Sequence, residues 1–173
     1  MDTKPNNWYH QDLKLADELA YVPSGMKLES IQIENESQEY GAATFTVMNK
    51  KIKFRVAKLT PTKVGHFVAI WKRENGITKP HDIKDPYDLF VISVRDKYGF
   101  GQFIFNKDAL VENKLITSQS TAGKRGVRLY PPWIKTPNKQ SKKSQEQQCK
   151  NFIQIDCCNS KNYPSIVREI TEG

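Results

Sequence analysis

The chain has 173 residues, 38% of them hydrophobic and 27% charged, with a net charge of +8. That is enough chain to bury a core without disulfide or metal staples, so a single domain spanning residues 1–173 is expected. No apolar run approaches the roughly 20 residues of a membrane span, and the three cysteines, Cys149, Cys157 and Cys158, lack C-x-x-C spacing, which excludes a disulfide framework and a zinc site.

The first residues, MDTKPNNWYHQDLK, lack the apolar centre of a secretory signal and predict a cytoplasmic protein with ordinary reduced thiols. Trp8, Leu13, Leu15, Ala16, Leu19 and Ala20 then recur at helical spacing until Pro23-Ser24-Gly25 stops them. KLESIQIEN reads as a short strand, followed by an acidic loop with Glu34, Glu36 and Glu39. ATFTVMN and IKFRVAKL flank Asn49-Lys50 as a hairpin, and HFVAIWKR follows as a third strand, which predicts an antiparallel meander.

Residues 75–86 carry Gly76, Pro80 and Pro86 and read as a loop. YDLFVISV and GFGQFIF surround RDKYG as a second hairpin, and the unbroken apolar run LFVISV predicts a central strand covered on both faces. Asn106 caps the next helix. After TSQSTAGKRG, VRLYP is a strand, and Thr136-Pro137 predicts the start of a polar helix reaching about Ile155. The tail shows little organisation. The order of elements gives an α/β or α+β domain, a mixed central β-sheet flanked by helices.

Charge is unevenly placed. Between Lys114 and Lys150 there are nine basic residues against a single acid, Glu146, a surplus equal to the whole net charge. With Tyr130 and Trp133 in the same segment, this pattern suits phosphates and stacked bases, and it marks nucleic acid as the expected partner.

The three histidines, His10, His66 and His81, are scattered and read as surface or packing residues, and no phosphate-binding glycine loop is present. What remains is an acid-then-lysine arrangement. With strict alternation along IKFRVAK, Ile52, Phe54, Val56 and Lys58 share the inward face. A lysine there either runs its amine past the strand end or points it into a cleft, and the acids upstream favour a cleft shared with Glu36, Glu39 or Asp88. Metal-dependent nucleases use such groups: carboxylates, here Glu36 and Glu39, hold Mg²⁺ or Mn²⁺, and the lysine adds positive charge at the phosphate. The usual acid two residues before the lysine is replaced by Val56.

ESQEYGAATFTV, IKFRVAKLTPTKVGHFVAIWKR, YDLFVISV, GQFIFNKDAL and GKRGVRLYPPW together resemble the MepB family, over roughly residues 28–155. The resemblance implies a restriction-endonuclease-like scaffold, distantly of the PD-(D/E)XK superfamily, and a founding member encoded beside a multidrug efflux pump. It matches Lys58 to the nuclease lysine and sets Asp88 at the start of the following strand, so Glu39, Lys58 and Asp88 are the candidate catalytic residues. Val56 departs from the pattern. The expected function is therefore nucleic-acid binding through a basic cleft with a degenerate catalytic site, using Lys63, Lys72, Arg73, Lys124, Arg125, Arg128, Lys142 and Lys143. Two alternatives stand beside it. One is an active Mg²⁺- or Mn²⁺-dependent nuclease. The other is a module for a nucleoside, small molecule or partner, linked to efflux, with Tyr40, Trp71, Tyr87 and Trp133 lining a pocket.

Overall fold

The computed structural model describes residues 9–155 and 163–172, so Trp8, Cys157 and Cys158 lie outside the described residues. The first helix, α1 (Gln11–Ala16), widens into a π-helical stretch, Asp17–Tyr21, closed by a bond from the Val22 amide to the Asp17 carbonyl at 2.8 Å. His10 caps it, its Nδ1 accepting from the Asp12 amide at 3.0 Å. The wide turn keeps Leu13, Ala16, Ala20 and Tyr21 on one buried face.

Strands β1 (Glu29–Ile33), β2 (Ala43–Val47) and β3 (Lys50–Val56) follow, paired antiparallel. The β2–β3 turn residues are Met48 and Asn49, both at positive φ (50° and 63°), which is the backbone of a type I′ hairpin. The next strand of this sheet is β8 (Leu89–Asp96), parallel to β3, and β9 (Gly99–Asn106) returns antiparallel beside it. With β11 (Phe152–Gln154) on its far edge, the sheet order is β1-β2-β3-β8-β9-β11, a mixed sheet as expected. β8 is central, and Leu89 to Val94 are all buried because both faces are covered.

The expected third strand of a meander is β5 (His66–Ala69), and it leaves the main sheet. It pairs with β4 (Lys58–Leu59) and β10 (Gly126–Leu129) in a separate three-stranded sheet. The cause lies at 56–57. Val56 and Ala57 are both buried and the Ala57 amide bonds the Ser93 carbonyl at 3.0 Å, so alternation breaks and the chain turns off the sheet edge. β6 (Lys72–Glu74) and β7 (Ile77–Lys79) form a hairpin of their own.

One core layer lies under α1 and α4 (Tyr163–Glu172) and contains Phe45, Ile52, Phe54, Leu89, Val91 and Ile104. The opposite layer holds Phe90, Ile92, Phe103 and Phe105 under the small sheet and α2 (Lys107–Glu112), where Val68, Leu110 and Leu129 complete it. Asn106 does cap α2, its Oδ1 accepting from the Ala109 amide at 2.8 Å.

Two expectations at the C-terminal end fail. The polar helix α3 is Lys139–Gln148, capped by Asn138 and Ser141 reciprocally, not by Thr136. It stops well short of Ile155, because Phe152–Gln154 forms β11 on the edge of β9. The tail is organised after all: Ile166 and Ile170, four residues apart, bury one face of α4.

Candidate nucleic-acid interface

β10 alternates cleanly. Val127 and Leu129 point into the core, which leaves Gly126 and Arg128 on the outer side, facing α3. Between them lies a groove of about 600 Å³ lined by Lys114, Lys124, Arg128, Lys143 and Tyr130, with Glu112 as its acid. Arg128 is held in place: its Nη1 donates to Thr60 Oγ1 at 2.9 Å and to the Gly65 carbonyl at 3.3 Å, and its guanidinium lies 5.7 Å from the Phe67 ring centre. No carboxylate pairs with Lys114, Lys124, Arg128 or Lys143 among the described residues.

α3, with the sequence KQSKKSQEQQ, has no apolar face to bury, so another force must dock it. Glutamines do so. Buried Gln148 accepts from the Tyr130 amide at 3.0 Å and donates to the Arg128 carbonyl at 3.1 Å, and Gln145 donates to the carbonyls of Pro131 and Ile134 at 3.0 and 2.8 Å. The helix that walls the groove thus bonds backbone groups of β10 and of the turn that follows it. The adjoining Cys149 donates its thiol to the Tyr130 carbonyl at 3.4 Å, and burial pushes that thiol up to about 11, away from reactivity.

The remaining basic residues expected at the interface are dispersed. Lys63 and Lys142 are exposed, Lys142 on α3. Arg125 donates to the Thr78 carbonyl at 3.3 Å, tying β10 to the β6–β7 hairpin. Arg73 is exposed and lies 5.5 Å from the Trp71 ring centre. Lys72 is engaged with Asp85 at 2.6 Å and Glu74 at 3.4 Å. Burial works to lower its amine, and the two carboxylates outweigh that and hold it above the ordinary lysine value.

Lys58 does not take the inward position that strict alternation predicts. It sits on β4, its side chain about half exposed (48%), with Nζ 3.9 Å from the Glu39 carboxylate and 5.1 Å from the Tyr40 ring centre. The Glu39 partnership is present, but on an open corner and not in a cleft. Asp88 is elsewhere: its carboxylate accepts from the Lys51 amide at 2.8 Å, and its own amide donates to the Lys51 carbonyl at 2.8 Å, setting the β3–β8 register. Val56 is a buried core residue and Glu36 is half-buried in the loop. Among the described residues, no three His, Cys, Asp or Glu side chains gather where they could hold a metal ion. The described side chains around Glu36, Glu39, Lys58 and Asp88 do not fit a Mg²⁺ or Mn²⁺ site.

Sequence reasoning missed a buried polar cluster on the opposite parity of β3. Arg55, fully buried, donates Nη2 to Glu34 at 2.8 Å and Nη1 to the Phe54 carbonyl at 2.9 Å, and Lys53 bonds the other Glu34 oxygen at 2.8 Å. His81, 2% exposed, bonds Asp85 through Nδ1 at 3.1 Å. Burial and the nearby Lys53 charge push the His81 imidazole down to about 4, with Asp85 opposing. Burial works to raise Asp85, and its bonds from Lys72, the Asp82 amide and His81 outweigh it, so it lies below the usual carboxylate value. Neutral His81 thus keeps its proton on Nδ1 toward the ionised carboxylate and presents a bare lone pair at Nε2. A signal was available in the sequence: an arginine in the middle of the apolar run KFRVA, with His81 and Asp85 four residues apart.

No helix among the described residues is long and apolar enough to cross a membrane. No curated protein matches the chain. A solved structure, the crystal structure of MepB, is similar at 32% identity and a TM-score of 0.71, covering 84% of this chain and 97% of that one. The MepB-like family matches residues 34–154, from the glutamate that neutralises Arg55 to the last residue of β11. With β2 to β11, α2 and the groove-walling α3 inside that match, the chain belongs to the MepB-like family.

Proposed function

We propose that this protein binds nucleic acid along the groove between β10 and α3. The observation that carries the reading is the row Lys114, Lys124, Arg128 and Lys143, basic side chains without carboxylate partners among the described residues, beside Tyr130. Cations that no carboxylate neutralises release counterions when they meet phosphate. Tyr130 adds a face on which a base can stack. The groove recognises backbone charge, so sequence preference is expected to be slight.

Fluorescence anisotropy with a labelled single-stranded oligonucleotide tests this. If about four phosphates are neutralised, raising salt fourfold lowers affinity about 50-fold. The double variant Lys124→Met, Lys143→Met should bind more weakly and make the log-affinity against log-salt line shallower by about 1.4. Binding that ignores salt, or a double variant indistinguishable from the parent, removes the reading.

A further inference from the structure

The outer face of β1, β2 and β3 carries a second cavity, of about 350 Å³, on the six-stranded sheet, whereas β10 belongs to the three-stranded one. Cross-strand pairing sets its lining: Gln32, Thr44 and Lys53 lie in one row across the three strands, and Thr46 and Lys51 in the next. Ser30, at φ 54° in the β1 irregularity between Glu29 and Gln32, brings its hydroxyl to the same wall. The lining contains two lysines and no acid. Lys53 also shares Glu34 with Arg55, two cations on one carboxylate, so this face keeps a surplus of positive charge.

Pro86 and Tyr87 close the cavity on the side of the buried cluster. Tyr87 is 7% exposed and packs edge-on against His81 and Phe90, with ring centres 5.5 and 5.9 Å apart. Its hydroxyl finds no hydrogen-bond partner among the described residues, and neither do Arg55 Nε and His81 Nε2 just behind it. Each such group left unpaired costs about 1–3 kcal/mol. Of the three residues only Tyr87 belongs to the cavity wall, so its hydroxyl is the unpaired polar group nearest to something small that enters there, with Arg55 and His81 behind it.

We infer that this cavity binds a nucleoside monophosphate, free or as the phosphorylated end of a strand. Lys51 meets the phosphate, with Lys53 beside it held on Glu34, Pro86 and the accessible edge of Tyr87 bound the base, and the hydroxyls and amide of Ser30, Gln32 and Thr44 serve the sugar and base edges. The volume suits one nucleotide and is too small for a strand, which separates this site from the groove.

The full chain, titrated with AMP and UMP in a thermal-shift and calorimetric experiment, tests the inference. Saturation at ten times the dissociation constant should raise Tm by about 3 to 5 °C. Tyr87→Phe keeps the ring and should stay folded while binding UMP about tenfold more weakly; Lys53→Met should bind more weakly still. The groove double variant Lys124→Met, Lys143→Met should bind UMP as the parent does, so that failure of the groove and failure of this site give different results. A 5′-phosphorylated dinucleotide that binds more tightly than UMP identifies a strand end, and equal affinity identifies the free nucleotide. The inference is overturned if no monophosphate shifts Tm, if inorganic phosphate alone matches UMP, or if Tyr87→Phe binds as tightly as the parent.

Discussion

Two polar regions of this protein use the same side chains to opposite ends. In the cluster around Glu34, every cation faces a carboxylate or a carbonyl: Arg55 and Lys53 share Glu34, and Lys72 meets Asp85. Lys107 donates to the carbonyls of Ile83 and Asp85 at 2.8 and 2.7 Å, and burial holds its amine below the ordinary lysine value, with Asp85, Asp82 and Asp88 opposing. In the groove beside α3, Lys114, Lys124 and Lys143 are exposed, and they and Arg128 have no acid partner among the described residues. Counting lysines and arginines does not separate the two. What separates them is desolvation: a buried charge must be answered inside the fold, whereas an exposed one remains available to a ligand.

Breaking the hub of the first region should cost stability. Glu34→Ala leaves the fully buried Arg55 and its neighbour Lys53 without their shared carboxylate, and urea denaturation should show a loss of about 3–5 kcal/mol. Lys53→Met should cost far less, because Glu34 still answers Arg55. Equal losses for the two variants would mean that Glu34 is not the hub of the cluster.

Acid should find the same region. His81 titrates near 4 in the fold and near 6.5 when unfolded, so between those values the unfolded chain takes up the proton first. The stabilisation that follows is complete above pH 6.5 and is lost as pH falls toward 4, about 3 kcal/mol in all. His66, buried against Asp96 with its imidazole also lowered by burial, changes stability in the same direction. His81→Gln should therefore flatten most, and not all, of the fall in unfolding free energy between pH 6.5 and 4. An unchanged pH profile in that variant would show that His81 does not control it.

The groove should respond through its wall before its charges. Gln148→Leu keeps side-chain volume but leaves the Tyr130 amide and the Arg128 carbonyl without their partner, at a cost of about 1–3 kcal/mol. Oligonucleotide binding should weaken with it, since α3 loses its grip on β10. Lys124→Met, by contrast, should leave unfolding free energy within about 0.5 kcal/mol of the parent while loosening the oligonucleotide. If Gln148→Leu were as stable as the parent, the glutamine-to-carbonyl docking of α3 would be wrong.

Much of the fold was legible in the residues themselves. The run LFVISV could be satisfied only with both faces covered, and β8 is the central strand. Asn106 has one local task, capping α2, and performs it. The nine cations between Lys114 and Lys150 mark the basic segment without any coordinates, since charge is a property of the chain. The MepB resemblance rested on the same stretches that the family match spans.

Tertiary structure alone decided where those pieces meet. β propensity makes HFVA a strand but does not name its partner, and the chain's turn at Val56-Ala57 gives it to β4 and β10. The same turn moved Lys58 from an inward face to an open corner, because strict alternation holds only while a strand continues in one sheet. α3 was placed by glutamine bonds to backbone carbonyls, which leave no periodic trace in the sequence. The Glu34–Arg55–His81 cluster joins residues up to 47 positions apart across a parallel pairing, and only the closed fold removes the water that would otherwise make them ordinary surface charges.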